Sequence, residues 1–131
     1  MITYSQNKAI TPEQLGTVFQ QSGITRPDKD IQRLEKMIKA AQLLVTAWDN
    51  DRLIGVARSL TDFSYCCYLS DLAVVKEFQN EGVGRELIEQ TQTAIGPQCS
   101  LILLSAPAAM DYYPKVDFTK ADNCFFIKRK Q

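Results

Sequence analysis

The sequence predicts a mixed α/β domain in which antiparallel hairpins come first and a parallel crossover follows. Two amphipathic segments within the first 41 residues have the spacing of helices. Three strand-like runs separated by short polar turns follow between residues 43 and 75. A helical segment at 83–95 then lies between two strand-like runs, which is the order of a β-α-β crossover.

The helices are predicted from their starts, stops and apolar faces. Thr11-Pro12-Glu13-Gln14 combines an N-cap threonine, a proline at the first helical position and a capping-box glutamine, and Gly23 ends this helix. A second helix covers about 28–41, and its apolar face consists of Ile31, Leu34, Ile38 and Ala41. A third helix at 83–95 stops at Gly96-Pro97.

The strands are predicted from runs of strand-forming residues between turns. The antiparallel part comprises Ile2–Ser5, Leu43–Trp48, Leu53–Leu60 and Tyr65–Val75. The uninterrupted apolar run Leu101–Ala106 predicts a central strand covered on both faces. Pro107 opens a short helix that runs to about Lys115, and Cys124–Arg129 is predicted as a last strand.

Length, charge and the missing histidine exclude several function classes. The 131 residues suit one domain, and we expect residues 1–131 to form it. Fifteen Lys and Arg residues balance fifteen Asp and Glu residues, so no overall field attracts nucleic acid or an anionic membrane. With no histidine, the chain cannot use a His-based triad, a His general base or a zinc site that needs His.

The cysteines and the apolar pattern predict the compartment. Cysteines at positions 66, 67, 99 and 124 lack the C-x-x-C spacing of metal and redox sites. Neighbouring Cys66 and Cys67 point to opposite faces of a strand, so we expect reduced thiols and no metal. The N-terminal residues lack a signal-peptide pattern, and no run of about 18 apolar residues occurs. We therefore expect a soluble, cytoplasmic protein with no membrane contact.

The most specific segment is LAVVKEFQNEGVGR, from Leu72 to Arg85. A strand leads into a loop, and the pattern Gln79-x-x-Gly82-x-Gly84 then opens a helix. Successive N–H groups at the positive end of a helix suit a pyrophosphate, and glycine removes the β-carbon that would keep phosphate oxygens away. The spacing matches neither a nucleotide P-loop nor a dinucleotide-binding turn. Two glycines at a helix start also occur in plain tight turns, which remains the structural alternative.

In this context the segment resembles motif A of the GNAT acyltransferase superfamily, which holds the pyrophosphate and pantetheine of acetyl-CoA. A second segment, AMDYYPKVDF from Ala109 to Phe118, is similar to the family's Ala-x-x-x-Tyr-x-Lys-x-Gly-Phe pattern. The element order also matches, so the resemblance covers nearly the whole chain. It implies the GNAT fold, a mixed, mostly antiparallel sheet with splayed central parallel strands and about four helices. Asp117 stands where the family has glycine, and we expect a positive φ there, which Asp tolerates.

The resemblance implies an enzyme that transfers the acetyl group of acetyl-CoA to a primary amine without a metal. The residues that it assigns to acetyl-CoA binding are Leu72, Ala73, Val74, Gln79, Asn80, Glu81, Gly82, Val83, Gly84, Arg85, Ala109 and Tyr113. Backbone groups of Leu72 and Val74 would bind the pantetheine arm, and the Val74 N–H would polarise the thioester carbonyl. Tyr113 matches the tyrosine that protonates the departing thiolate in many members. The alternative is a packing tyrosine that only hydrogen-bonds the sulfur.

The sequence does not identify the general base for the acceptor amine. Asp71 is a candidate because it directly precedes the Leu-Ala-Val strand segment. The other candidates are Asp62, Glu77, Tyr65, Tyr68 and a water chain. We expect the acceptor pocket to be lined by residues 22–26 and 62–68, with Phe63, Tyr65 and Tyr68 as an aromatic wall. Without histidine to activate Cys66 or Cys67, direct attack in a ternary complex is favoured over an acyl-enzyme.

Alternatives stay open for the acceptor, the activity and the assembly. A small-molecule amine is expected because the chain has few residues for a peptide-binding extension, and a peptide or protein amino group is the rival. The chain could also be a non-catalytic CoA-binding sensor. Nucleic acid is not expected as a partner, since the one dense basic patch is Lys128-Arg129-Lys130. A homodimer is compatible with the sequence, which contains no feature that decides it.

Overall fold

Five strands form one mixed sheet in the computed structural model, which describes all 131 residues. The strands are β1 (Ile2–Ser5), β2 (Leu43–Asp49), β3 (Arg52–Thr61), β4 (Cys66–Val74) and β5 (Ser100–Ile102). They lie in chain order, with the first four antiparallel and β5 parallel to β4. The predicted fold class is confirmed.

Three α-helices accompany the sheet. They are α1 (Pro12–Ser22), α2 (Ile31–Ala40) and α3 (Val83–Ile95). Short 3₁₀ turns at Lys76–Phe78, Pro107–Ala109 and Tyr113–Val116 complete the regular structure. The prediction of a fourth helix from Pro107 to about Lys115 is therefore wrong, since two separate 3₁₀ turns lie there. None of the helices combines the length and the apolar character that crossing a bilayer requires.

Helix α1 begins and ends as its sequence predicts. The Thr11 hydroxyl accepts from the Gln14 N–H at 3.1 Å, and the Gln14 side chain accepts from the Thr11 N–H at 2.9 Å. Gly23 ends the helix in the left-handed region at φ 83°, which glycine adopts without a steric penalty. This turn directs the following loop towards the end of β4, where it becomes one wall of a cavity.

The core lies on both sides of the central strand β3. Seven consecutive residues of β3, Leu53 to Ser59, are buried, and because side chains alternate between faces, both faces must be covered. Helix α1 packs against β3 and β4, and α3 packs against β2, β3 and β4. One face of α3 is buried, and its residues are Val83, Leu87, Ile88, Thr91 and Ile95.

Strands β4 and β5 pair over three residues only. The parallel ladder joins Cys66 to Ser100, Cys67 to Leu101 and Tyr68 to Ile102, and it ends there. β4 continues along β3 to Val74, whereas the chain after Ile102 has no ladder partner. The two strands therefore separate, as expected for splayed strands, but β5 is an edge strand rather than a central one because only β4 pairs with it.

Of two strands predicted at the open side of the sheet, one is shorter than predicted and the other is absent. The run 101–106 forms a strand only over Ser100–Ile102, and Ile102 and Leu104 remain 52% and 43% exposed rather than covered. An unbroken apolar run has no period, so it cannot show which face is covered.

The predicted strand Cys124–Arg129 is not formed. Its side chains Phe125 and Ile127 are almost fully exposed, and no backbone N–H after Phe118 donates to another backbone group. Segments rich in strand-forming residues form strands only where another strand lies beside them, because a single extended segment cannot satisfy its own backbone hydrogen-bonding groups.

Candidate active site

A cavity of about 830 Å³ opens where β4 parts from β5. This volume is within the range of about 300–1,000 Å³ that is usual for small-molecule sites. Its walls come from the loop between α1 and α2, from α2, from β4 and from the segments on either side of Tyr113. The predicted site residues that line it are Asp71, Leu72, Ala73, Val74, Gln79, Ala109 and Tyr113.

The end of β4 presents free backbone groups to this cavity. The Val75 N–H donates to the Ile54 carbonyl of β3 at 2.9 Å. Because N–H groups alternate in direction along a strand, those of Val74 and Leu72 point away from β3, towards the side from which β5 has departed. The Val74 carbonyl accepts from the Gln79 side-chain amide at 2.7 Å, and that amide also reaches the Ser22 carbonyl at 3.2 Å. Gln79 thus ties the strand end to α1 and leaves the Val74 N–H unoccupied.

The start of α3 offers a second set of free donors. No backbone N–H from Asn80 to Arg85 donates to an acceptor within the protein, as is usual for the first turn of a helix. Asn80 and Gly82 both have positive φ, at 69° and 83°, which folds the loop back so that these N–H groups follow one another. These residues lie beside the cavity rather than in its lining. Such an arrangement suits an anionic group.

Gly84 has a packing role that the sequence pattern did not reveal. A β-carbon at this position would lie 2.6 Å from the Tyr112 hydroxyl oxygen. The side chain of Arg85 is also engaged, because its Nη2 donates to the Lys115 carbonyl at 2.8 Å. The close approach of Tyr112 to Gly84 and the hydrogen bond of Arg85 hold α3 against the segment that carries Tyr113. The first turn of α3 and Tyr113 therefore keep a fixed relative position.

Tyr113 lines the cavity between two other aromatic rings. Its ring makes edge contacts with Tyr112 and Phe118, at centroid distances of 5.3 and 5.5 Å. Burial raises the pKa of Tyr113 above its ordinary value, and the positive charge of Arg26 offsets only part of this shift. The phenol is therefore protonated at neutral pH. Asp117 ends this turn at φ 72°, which confirms the left-handed conformation expected there.

Asp71 is buried and held by two arginines. One carboxylate oxygen accepts from Arg26 Nε and the other from Arg58 Nε. Arg58 is itself buried on β3, whereas Arg26 lies in the loop after α1 and is partly exposed. Both oxygens are thus engaged by cations, and the geometry favours a positioning role for Asp71 over that of a base.

The other candidate carboxylates lie away from the cavity, and of the two candidate tyrosines only Tyr68 lines it. The Asp62 carboxylate accepts N–H bonds from Ser64, Tyr65 and Cys66 in the β3–β4 hairpin, and these bonds lower its pKa to about 2. The pKa of Glu77 is lowered by its hydrogen bond and ion pair with Arg52. Neither carboxylate lines the cavity.

Of the aromatic wall expected from residues 62–68, only one ring reaches the cavity. Tyr68 lines it, whereas Phe63 and Tyr65 lie on the hairpin at 45% and 79% exposure. The loop residues 22–26, by contrast, all contribute to the lining.

No cysteine lines the cavity, and all four are unpaired. The nearby Asp62 charge raises the pKa of Cys66, and burial raises that of Cys67. A raised pKa reduces the thiolate population that a nucleophilic cysteine needs. The two thiols lie on opposite sides of β4, one exposed and one buried, as their neighbouring positions predict.

Three arginines line one end of the cavity, and the sequence reasoning placed only Arg26 there, as part of the loop 22–26. They are Arg26, Arg33 and Arg58, and we call this region the arginine end. A signal was present for one pair. Arg58 and Asp71 are single charged residues inside otherwise apolar strand runs, and buried charges are usually paired.

Comparison with known proteins gives a consistent result. The family model for an acetyltransferase (GNAT) domain matches residues 6–128. A curated protein of Prochlorococcus marinus, named as an uncharacterised N-acetyltransferase similar to ycf52, is 26% identical over 94% of this chain and 72% of its own length.

Solved structures share the fold. Protein SA2161 of meticillin-resistant Staphylococcus aureus, a probable acetyltransferase, superposes with a TM-score of 0.83 at 24% identity, over 98% of this chain and all of its own. The structure of AAC(6')-Iy in complex with the bisubstrate analogue CoA-S-monomethyl-acetylneamine has a TM-score of 0.73 at 16% identity, over 100% of this chain and 99% of that one.

Removing Asp71 should destabilise the protein strongly because it leaves Arg58 buried without a counter-charge. We expect Asp71→Leu to lower the free energy of unfolding by about 3–5 kcal/mol in urea titrations. The double variant Asp71→Leu/Arg58→Met, which removes both buried charges, should recover much of this loss. Arg26→Met serves as the comparison, since Asp71 keeps Arg58 as its partner and the loss should be smaller than in Asp71→Leu. Equal losses in the single and double variants would contradict the assigned pairing.

Gly84 and Tyr112 should show a specific coupling. We expect Gly84→Ala to cost about 1–3 kcal/mol of unfolding free energy because its new methyl group meets the Tyr112 hydroxyl. Adding Tyr112→Phe removes that oxygen and should restore stability in a thermal melt. Gly82→Ala is the matched control, because its cost of about 1–2 kcal/mol arises from positive φ and has no neighbouring atom to relieve it. No rescue by Tyr112→Phe at Gly84 would show that the contact is not the cause.

Proposed function

The chain belongs to the GNAT acetyltransferase family, and from this premise we propose that it transfers the acetyl group of acetyl-CoA to a primary amine of a small molecule. The amine attacks directly in a ternary complex. The observation that carries the proposal is the cavity between the separated strands, which brings free Val74 and Leu72 N–H groups and Tyr113 to one place. The similar fold of AAC(6')-Iy, which was solved with a CoA-containing bisubstrate analogue, supports the donor assignment.

The residues fit acetyl-CoA in two regions. The free N–H groups from Asn80 to Arg85 lie at the positive end of α3 and would hold the pyrophosphate. The gap between β4 and β5 would take the pantetheine arm, with Leu72 and Val74 as its backbone partners and Ala109 on the opposite wall. Acetyl-CoA supplies the thioester to be cleaved.

Two groups of the chain act on the reaction itself. The Val74 N–H would donate to the thioester carbonyl oxygen, where negative charge develops as the amine attacks. Tyr113 would give its proton to the sulfur as the carbon–sulfur bond breaks. Its raised pKa keeps that proton in place at neutral pH, so the phenol is available as a donor while charge develops on the sulfur. Solvent then returns a proton to the Tyr113 oxygen after the thiol has left.

The acceptor amine must lose a proton before it can attack. Asp71 is engaged by two guanidinium groups, and Asp62 and Glu77 lie elsewhere. We infer that water in the open cavity takes this proton and that Asp71 acts by positioning Arg26 and Arg58. Positive charge around the amine favours its neutral form, which reduces the need for a base.

The decisive experiment is binding followed by turnover. Acetyl-CoA titrated into the purified protein should give saturable heat, and thiol release should follow with an amine acceptor. Binding without release on any small amine, peptide or protein amino group would support the sensor alternative. An absence of binding would overturn the donor assignment.

Tyr113→Phe should lower kcat about a hundredfold because the thiolate must leave without its proton donor. The affinity for acetyl-CoA, measured by calorimetry, should stay within a few fold of the parent value. Tyr112→Phe is the matched control, since its hydroxyl faces Gly84 rather than the cavity. An unchanged kcat in Tyr113→Phe would assign the residue to packing.

The pH profile should follow the acceptor rather than the protein. With butylamine and the less basic benzylamine, log kcat/KM should rise with pH, and this rise should lie at lower pH for benzylamine. Because the pKa of Tyr113 is raised from 10.0, loss of its proton should lower the rate only above about pH 10. Tyr113→Phe should lack that decline. One common midpoint near neutrality for both amines would instead indicate a general base on the protein.

A further inference from the structure

The arginine end of the cavity carries an excess of positive charge. The lining contains one carboxylate, that of Asp71, and three guanidinium groups, those of Arg26, Arg33 and Arg58. No other Asp or Glu lines the cavity, and a fourth arginine, Arg129, does so from the C-terminal segment. The charge of the lining is therefore positive although the chain as a whole is balanced.

Two of these arginines are committed to the protein itself. Arg58 donates to Asp71, to the Ser70 hydroxyl at 3.1 Å and to the Met37 carbonyl at 3.3 Å. Arg26 donates to Asp71, to the Ser70 carbonyl at 2.8 Å and to the Thr25 carbonyl at 2.7 Å. Their positions are fixed by these bonds, and Asp71 neutralises only one of the two charges.

Arg33 is different because its guanidinium has no partner. It makes no ion pair and no side-chain hydrogen bond, although it lines the cavity from α2. It also stands in the first turn of that helix, three residues after the N-cap Asp30. The helix dipole disfavours a cation there. Arg33 is exposed, so its unpaired guanidinium is free to bind an anionic group in the cavity.

A cationic acceptor would fit this end poorly. A diamine or an aminoglycoside brings further ammonium groups, which the three guanidinium groups repel and no free Asp or Glu side chain of the lining attracts. An amine that also carries a carboxylate or phosphate suits the same surface, because guanidinium binds both through paired N–H donors. The phosphates of acetyl-CoA have a separate place at the start of α3, outside the cavity lining.

Resting on the proposed function, we propose that the acceptor is a primary amine bearing an anionic carboxylate or phosphate, and that Arg33 binds this anionic group with Arg26 beside it. The amino end then points along the cavity towards Val74 and Tyr113, which line the same space. Arg33 determines specificity and does not touch the reacting atoms, so it should affect KM rather than kcat.

Matched acceptors test the charge preference. γ-Aminobutyrate, butylamine and putrescine place a carboxylate, a methyl group or a second amine at the far end of similar chains. Phosphoethanolamine and ethanolamine form the corresponding pair for phosphate and show which anion is preferred. We expect kcat/KM for an anionic acceptor to exceed that for its neutral and cationic counterparts at least about tenfold at low salt. Added salt should reduce the difference.

The variant Arg33→Gln should raise KM about tenfold for the preferred anionic acceptor. It should leave kcat, the KM for butylamine and the affinity for acetyl-CoA unchanged. Lys36→Gln is the control, because Lys36 lies on α2 outside the cavity lining. Equal effects of Arg33→Gln on anionic and neutral amines, or a preference for putrescine, would overturn the proposal.

Different results would contradict the acetyltransferase assignment and the assignment of an anionic acceptor. Thiol release with the wrong preference defeats the acceptor assignment and leaves the acetyltransferase assignment intact. No thiol release with any amine defeats both. Weaker acetyl-CoA binding in Arg33→Gln would show that the arginine end serves the donor.

Discussion

The separation of β4 from β5 is the constraint from which the candidate site follows. Pairing ends after Tyr68 and Ile102, so the remainder of β4 keeps its hydrogen bonds to β3 and has no neighbour on the other side. Elsewhere in a protein, such unpaired backbone donors would cost free energy or promote aggregation. Here they line a cavity, and the Val74 carbonyl is already satisfied by the Gln79 side chain. On the proposed function, the free N–H groups of Leu72 and Val74 at this strand edge would bind the ligand.

The buried Asp71 links this strand to the helical wall opposite. It joins Arg58 on β3 to Arg26 in the loop after α1, and Arg26 also reaches the Ser70 carbonyl on the open side of β4. Desolvating three charged groups is costly, and such networks seldom stabilise a fold more than an apolar replacement would. The network of Asp71, Arg26 and Arg58 fixes the geometry of the cavity wall, which gives a reason for its presence. The same network occupies the carboxylate that sequence position suggested as a base.

Electrostatics and proton transfer are connected in this arrangement. A cavity with excess positive charge favours a neutral amine over an ammonium, and it stabilises a thiolate or a developing oxyanion. On the proposed function, the buried phenol of Tyr113 would then give its proton to the sulfur. A chain without histidine can in this way divide acid–base work between a tyrosine, solvent and fixed positive charge. An anionic group on the acceptor would compensate the repulsion that its amine experiences.

The sequence by itself determined the three α-helices, the antiparallel strands and the glycine turn before α3, because caps, apolar periodicity and turn residues act over a few neighbouring positions. The capping box at Thr11 and the positive φ of Asp117 are of this local kind. Only the tertiary structure decided how far β5 extends and that Cys124–Arg129 finds no partner, since pairing depends on a distant edge. It alone also decided that Asp71 meets two arginines and that Tyr68, not Tyr65, reaches the cavity. Contacts between residues far apart in the chain depend on how elements pack, and no local pattern encodes them.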